Sequence, residues 1–251
     1  MTKHTIDGMD ADALAAALSV PRVVLMPRVA STMDEAHRLG AEGASGGTLV
    51  VADEQTAGRG RGGKHWSSEQ ERGLWMTLLE RPGTASGLDV LSLRLGLRAA
   101  PVLELFSGAP VRIKWPNDLY SGSRKLAGVL VEARWREQKA DWVAIGIGVN
   151  IVPPPDVETA AGLLPGTRRL VVLLALVPAL RAAAAARGPL TAAELAEFDR
   201  RDFARDRHCL KPAVGVAMGI TNDGALIITG EQGPAHYRAG SLEFATGVEA
   251  P

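Results

Sequence analysis

Gly58-Arg59-Gly60-Arg61-Gly62-Gly63-Lys64-His65-Trp66 lies between two runs with strand character, 48–53 and 74–79. The residues after this loop decide the fold. Its backbone amides and three cations suit it to holding phosphate, so the chain is expected to handle a nucleotide. Gly58, Gly60 and Gly63 satisfy G-x-G-x-x-G, and Gly58 to Lys64 satisfy most of the P-loop pattern. Both patterns require a helix to start at the loop, because the helix N-terminus supplies part of the anion site. Here a polar turn, 65–73, leads into the apolar run 74–79. His65 also stands where a P-loop places the hydroxyl that binds magnesium. The unit is therefore strand–loop–strand, not βαβ. The plainest alternative is a glycine-rich turn with solvated arginines.

Composition narrows the field further. The 251 residues suffice for one domain of ordinary size plus a small one, with 46% hydrophobic residues to fill a core. Twenty-eight basic and 28 acidic side chains cancel, so no overall field draws the protein to DNA, RNA or an anionic membrane. The single cysteine, Cys209, excludes an internal disulfide and fits a reducing cytoplasm. No targeting segment is apparent, and the most apolar stretch, 170–180, is too short to span a bilayer and is interrupted by Pro178.

On the N-terminal side of the loop, residues 10–19 read as a short helix capped by Asp10, and 22–27 as a strand. Ser31-Thr32-Met33-Asp34-Glu35 resembles a helix start, with the helix ending near Gly40. On the C-terminal side, apolar residues recur at helical spacing over 88–106, around Pro101. Strands are expected at 111–115, 128–135 and 142–151. In the last, Val143, Ile145, Ile147, Val149 and Ile151 share one face and Ala144, Gly146, Gly148 and Asn150 the other. A face of Ala and Gly admits close approach by a helix or by a ligand. Helices come next at 170–186 and 190–205, then short strands at 213–220, 225–229 and 237–244 around the turn Asn222-Asp223-Gly224. The fold class is α+β: a mixed β-sheet domain with packed helices, 1–206, and a small β-barrel, 207–251.

Four blocks in order carry a family pattern: Gln55 to Arg61; Lys114-Trp115-Pro116-Asn117-Asp118-Leu119; Arg124-Lys125-Leu126-Ala127-Gly128-Val129-Leu130-Val131-Glu132; and Gly146-Ile147-Gly148-Val149-Asn150. The chain resembles the bacterial biotin protein ligases from about residue 20 to 151, and 211–245 resembles their SH3-like C-terminal domain. The resemblance implies the class II synthetase-like, lipoyl/biotinyl ligase fold. It also implies two half-reactions: biotin and ATP, with Mg2+, give biotinyl-5′-AMP and pyrophosphate, and the acyl group then passes to a lysine of a biotin carboxyl carrier protein. Relatives often form a homodimer through sheet edges.

Carried over by position, the biotin site falls on Ser31, Thr32, the backbone at Met33, Gln55, Gly58, Arg59, Gly60, Arg61, Lys125 and Gly128. Gln55 and the Ser31 and Thr32 hydroxyls would hold the ureido ring. Lys125 would sit between the biotin carboxylate and the α-phosphate, with Arg59 and Arg61 neutralising like charges. The nucleotide side falls on Arg61, Trp66, Lys114, Asn117 and Asn150, and Asp118 is placed near the metal or the acceptor lysine. Lys125, Arg59 and Asp118 are the expected catalytic residues. Each has a plain alternative: a solvated lysine at a strand edge, helix capping by Ser31 and Thr32, packing by Trp66, a strand-end hydrogen bond from Asn150. The loop 58–66 is expected to be mobile when empty and to close over the adenylate.

The sequence departs from the pattern in places. Met33 stands where asparagine is common, and Gly62 and Gly63 leave fewer arginines in the loop than some relatives have. About twenty residues precede the first strand, too few for a winged helix, so no operator DNA binding is expected. Residues 153–190 match poorly and receive no functional residue. The rivals are a lipoyl or octanoyl ligase of the same fold and a nucleic-acid-binding module built on the Arg/Gly loop. Zero net charge and the lack of interleaved aromatics disfavour the latter.

Overall fold

The computed structural model describes residues 4–244, so the outer ends of both expected domains, 1–3 and 245–251, lie outside the described residues. The chain begins with a hairpin of β1 (Thr5–Ile6) and β2 (Met9–Asp10), which its short, unpatterned sequence does not announce. Asp10 then caps α1 (Ala11–Leu18), accepting from Ala13 N at 2.9 Å. Next come β3 (Val23–Val29), α2 (Thr32–Ala41), β4 (Thr48–Gln55), β5 (Gly73–Glu80) and α3 (Leu91–Glu104). They are followed by β6 (Val111–Lys114), β7 (Asp118–Ser121), β8 (Arg124–Arg136), β9 (Lys139–Asn150), α4 (Arg169–Ala185) and α5 (Ala192–Arg201).

β3 to β9 form one mixed sheet in the order β3-β4-β5-β9-β8-β7-β6. Only β3 and β4, joined through α2, run parallel; every other neighbouring pair is antiparallel. The strand–loop–strand reading holds, with Thr48 to Ala52 of β4 paired antiparallel to Leu79 to Trp75 of β5. Pro27 is tolerated inside β3 because β3 is an edge strand.

Alternation splits the sheet. Val143, Ile145, Ile147 and Val149 join Leu49, Val51, Leu74, Met76 and Leu78 in the main core, with α1, α3 and α4. On the other face Ala144 packs with Val50 and with Met33, Ala36 and Leu39 of α2. The helix and ligand readings of the Ala/Gly face thus divide along one strand: α2 covers Ala144, and the strand beyond it is left for a cavity. Among the described residues no helix is long and apolar enough to cross a membrane.

Three expectations need correction. β7 lacks alternation and follows Pro116, so it is unannounced, and β8 starts four residues before the expected strand because its first residues are polar. The helix expected over 190–205 starts at the Thr191/Glu194 capping box and ends at Arg201, where Asp202 bridges to Ile113 of β6. The C-terminal strands are β10 (His208–Lys211), β11 (Gly215–Ile220), β12 (Leu226–Gly230), β13 (Gly233–Tyr237) and β14 (Glu243–Phe244), not a continuous strand over 237–244. They form a five-stranded antiparallel sheet, order β13-β12-β11-β10-β14, compatible with a small barrel. β13 is an edge strand, which is why Pro234 is accepted within it.

Candidate active site

The uncovered part of that sheet face forms a cavity of about 180 Å³. Its floor is polar. Ser31 caps α2, with its hydroxyl accepting from Met33 N at 3.3 Å. Thr32 donates from both its backbone N (2.8 Å) and Oγ1 (3.0 Å) to Gln55 Oε1, and its hydroxyl lies 2.9 Å from Thr77 Oγ1. Gln55 Nε2 in turn donates to Ser68 Oγ at 2.9 Å. The strand end, the helix cap and the strand after the loop are thereby tied into one network of donors and acceptors. Capping and cavity lining coexist at Ser31. Thr77 escapes a reading of the sequence by pattern; its signal is that it is the one polar residue in the run 74–79.

The glycines of β8 and β9 serve close approach. A Cβ on Gly146 would lie 2.7 Å from Met33 Cε, and one on Gly148 2.6 Å from Trp66 Nε1. Gly128 is similar, 2.9 Å from the edge of the Trp66 ring. Trp66 is thus seated across two glycines, with its indole N–H buried and lacking a hydrogen-bond partner. Gly58 does not line the cavity; a Cβ there would meet the Trp66 carbonyl at 2.5 Å, so this glycine lets the loop turn back on itself.

The loop folds as a miniature hairpin. Arg59 bridges to His65, Gly60 N donates to Lys64 O at 2.7 Å, and Trp66 N donates to Gly58 O at 2.9 Å. Arg59, Gly60, Arg61, Lys64, His65 and Trp66 all line the cavity. Arg61 Nη2 reaches Gly240 O at 2.8 Å, so the C-terminal sheet meets the loop, and Ser241 joins the lining.

Lys125 completes the cationic wall. Its Nζ lies 2.8 Å from Asp118 Oδ1 and 4.8 Å from the Trp66 ring centroid. Its backbone is held from outside the expected site: Lys125 N donates to Thr159 O, and Ala161 N donates to Lys125 O, each at 2.8 Å. Residues 159–161, which carry no motif, therefore fix the strand that carries Lys125. Asn117 lines the cavity, but its amide donates to Val129 O at 2.8 Å and so locks the turn into β7.

Two expected nucleotide residues lie off the cavity wall. Asn150 is buried behind Lys125, 3.4 Å from its carbonyl. Lys114 Nζ sits between Tyr120 and Phe244, 5.5 and 5.3 Å from their ring centroids. Burial, with help from Lys125, Arg207 and Lys64, holds Lys114 below the usual lysine range against the pull of Asp118, and burial pushes Tyr120 up to about 12.

Among the described residues no group of three His, Cys, Asp or Glu side chains is placed to hold a metal. Asp118 is the one carboxylate among the described residues that line the cavity.

A family model described as the biotin/lipoate A/B protein ligase family matches residues 25–150. The chain belongs to that family. Within it, the chain is 40% identical over 124 residues to the bifunctional ligase/repressor BirA of Bacillus spizizenii, covering 49% of this chain and 38% of that protein. It is 38% identical over 134 residues to a biotin–[acetyl-CoA-carboxylase] ligase of Paracoccus denitrificans, covering 53% and 55%. These matches span about half or less of the relatives' own length. Among solved structures, a biotin protein ligase from Aquifex aeolicus in complex with biotin and ATP aligns with a TM-score of 0.73 at 27% identity, covering 89% of this chain and 98% of that one. The matched segment of the family model contains every expected site residue.

Proposed function

We propose that the chain is an ATP-dependent biotin–protein ligase acting through biotinyl-5′-AMP on one lysine of a biotin carboxyl carrier protein. The observation that carries this reading is the convergence of Arg59, Arg61, Lys64 and Lys125 on one cavity whose floor is the Thr32–Gln55–Thr77 network. A ureido ring needs an acceptor for each N–H and donors for its carbonyl, and that floor contains both. A carboxylate attacking an α-phosphate must overcome like charge, and the cationic wall is suited to stabilising the charge that builds at phosphorus. The carboxylate oxygen bonds to phosphorus as pyrophosphate leaves; the acceptor amine then attacks the acyl carbon as AMP leaves. Magnesium carried by ATP would be held by Asp118 and would offset phosphate charge. Lys125 gives a compact charge at the junction of the two substrates.

The names of the matched ligases and the ligands of the Aquifex structure support biotin over lipoate. Biotin plus ATP should raise the melting temperature, and lipoate should not. We also read 1–206 as the catalytic domain and 207–251 as an SH3-like domain, and infer a cytoplasmic enzyme that pairs, where it pairs, through a sheet edge. The lone cysteine, unpaired and buried, supports the reducing compartment. The deciding experiment is mass spectrometry of a carrier domain incubated with this protein, ATP, magnesium and biotin. A gain of one biotin, lost in Lys125→Ala, is expected; no gain with the wild type refutes the proposal.

A further inference from the structure

Behind the cationic loop a chain of side chains runs from Trp142 to Arg59. Trp142 Nε1 can only donate, and it lies 3.0 Å from His37 Nδ1, so Nδ1 is the acceptor and the ring proton sits on Nε2. That Nε2–H meets Glu132 Oε2 at 2.9 Å. The same oxygen receives Arg59 Nη2 at 3.3 Å, and Asp34 Oδ1 forms an ion pair with that nitrogen at 2.8 Å. His37 is buried, and that burial holds it below the usual imidazole range, so near pH 7 the ring is a neutral donor whose orientation is set by Trp142.

Arg59 belongs to a loop in which Gly58, Gly60, Gly62 and Gly63 oppose any fixed position. Its guanidinium is held through one nitrogen. Among the described residues Nη1 and Nε have no protein partner, and the residue lines the cavity, so the free donors are those left to an incoming anion. We propose that Glu132 and Asp34, with His37 and Trp142 fixing Glu132, are positioning residues that hold Arg59 ready for the substrate carboxylate and α-phosphate. The four come from α2, β8 and β9, so a rigid frame supplies the order that the loop lacks. The assignment rests on the ligase reading for the identity of the anion. The clamp on Arg59 does not.

Two measurements test it. In the first, pyrophosphate release is followed for Glu132→Ala and Asp34→Ala, each alone and combined with Arg59→Ala. Each single variant should lower kcat/KM for biotin by about tenfold, ~1.4 kcal/mol, and should add almost nothing once Arg59 is gone. Glu132→Gln, which keeps an acceptor oxygen for both donors, should recover most of the loss. Equal losses with and without Arg59 would overturn the proposal, since a merely structural residue acts whether or not the arginine is present. In the second, the ligand-free full chain is exposed to trypsin. Removing either carboxylate should speed cleavage after Arg59; unchanged cleavage in both variants overturns the clamp even if the wild type proves inactive as a ligase. Asp34 has a side chain 59% exposed, so Asp34→Ala keeps the test open should Glu132→Ala fail to fold.

Discussion

Lys125 sets the terms at the scale of single residues. Its ammonium is already paired with Asp118 and lies near the Trp66 ring, so an incoming anion must share it rather than find it free. Removing one pre-placed donor to a developing oxyanion costs about 2.7–4 kcal/mol, and Lys125→Ala should therefore slow adenylate formation by about 10²–10³ in a pyrophosphate-release assay. A loss below tenfold would return Lys125 to the rank of a strand-edge lysine. Gly148 is the second sensitive position. Gly148→Val would set a Cβ 2.6 Å from Trp66 Nε1 and displace the indole from its glycine seat. The expected outcome is about 1–3 kcal/mol of destabilisation in thermal unfolding, together with weaker biotin binding in calorimetric titration.

At the scale of elements, the loop between β4 and β5 is a hairpin held by few bonds, and its arginines and lysine are trypsin sites. Biotin plus ATP should slow cleavage after Arg59, Arg61 and Lys64, because closure of the loop over an adenylate would engage those cations. Equal digestion with and without ligand would remove the lid from the mechanism. The end of α5 offers a pH test. Burial pushes Asp202 from 3.8 up to about 6, and its Oδ2 has no partner, while Oδ1 accepts from Ala204 N at 2.8 Å. The native state then holds this proton more tightly than the unfolded chain does, so stability falls as pH rises from about 4 to about 6. Asp202→Asn should remove that component from a pH series of denaturant titrations; an unchanged pH profile would show that water already reaches the carboxylate. These elements also mark what the sequence made legible. β9 and the glycine loop could be read because burial on one face imposes strict alternation and because four glycines are a backbone signal. β7, β13 and the brace at 159–161 could not: two are short strands without alternation, and the third acts through backbone groups that any residue carries. The His37–Glu132–Arg59 chain was invisible for another reason, since its members stand far apart in sequence and meet only across the sheet.

For the whole molecule, the question is whether the C-terminal sheet is a separate body. Cys209, Ala217, Ile220, Leu226, Ile228 and Leu242 belong to the same buried cluster as Leu93, Ile113 and Trp115 of the larger sheet and its helices. Trp115 Nε1 donates to Gly224 O at 3.0 Å, Leu190 N donates to Asn222 O at 2.8 Å, and Asp206 N donates to Ala217 O at 2.9 Å. Apolar burial and backbone hydrogen bonds thus cross the boundary near residue 207 instead of stopping at it. Independent units would need a polar, weakly joined seam. The chain should therefore unfold in one cooperative step, with calorimetric and van't Hoff enthalpies in agreement. Trp115→Phe keeps most of the buried ring but strands the Gly224 carbonyl, which costs about 1–3 kcal/mol. At about 2–4 °C per kcal/mol for a chain of this size, the melting temperature should drop by several degrees while the single step persists. Two resolved transitions in the wild type, or a Trp115→Phe effect confined to one of them, would mean that the sheet that meets Arg61 through Gly240 folds alone and only leans on the active site.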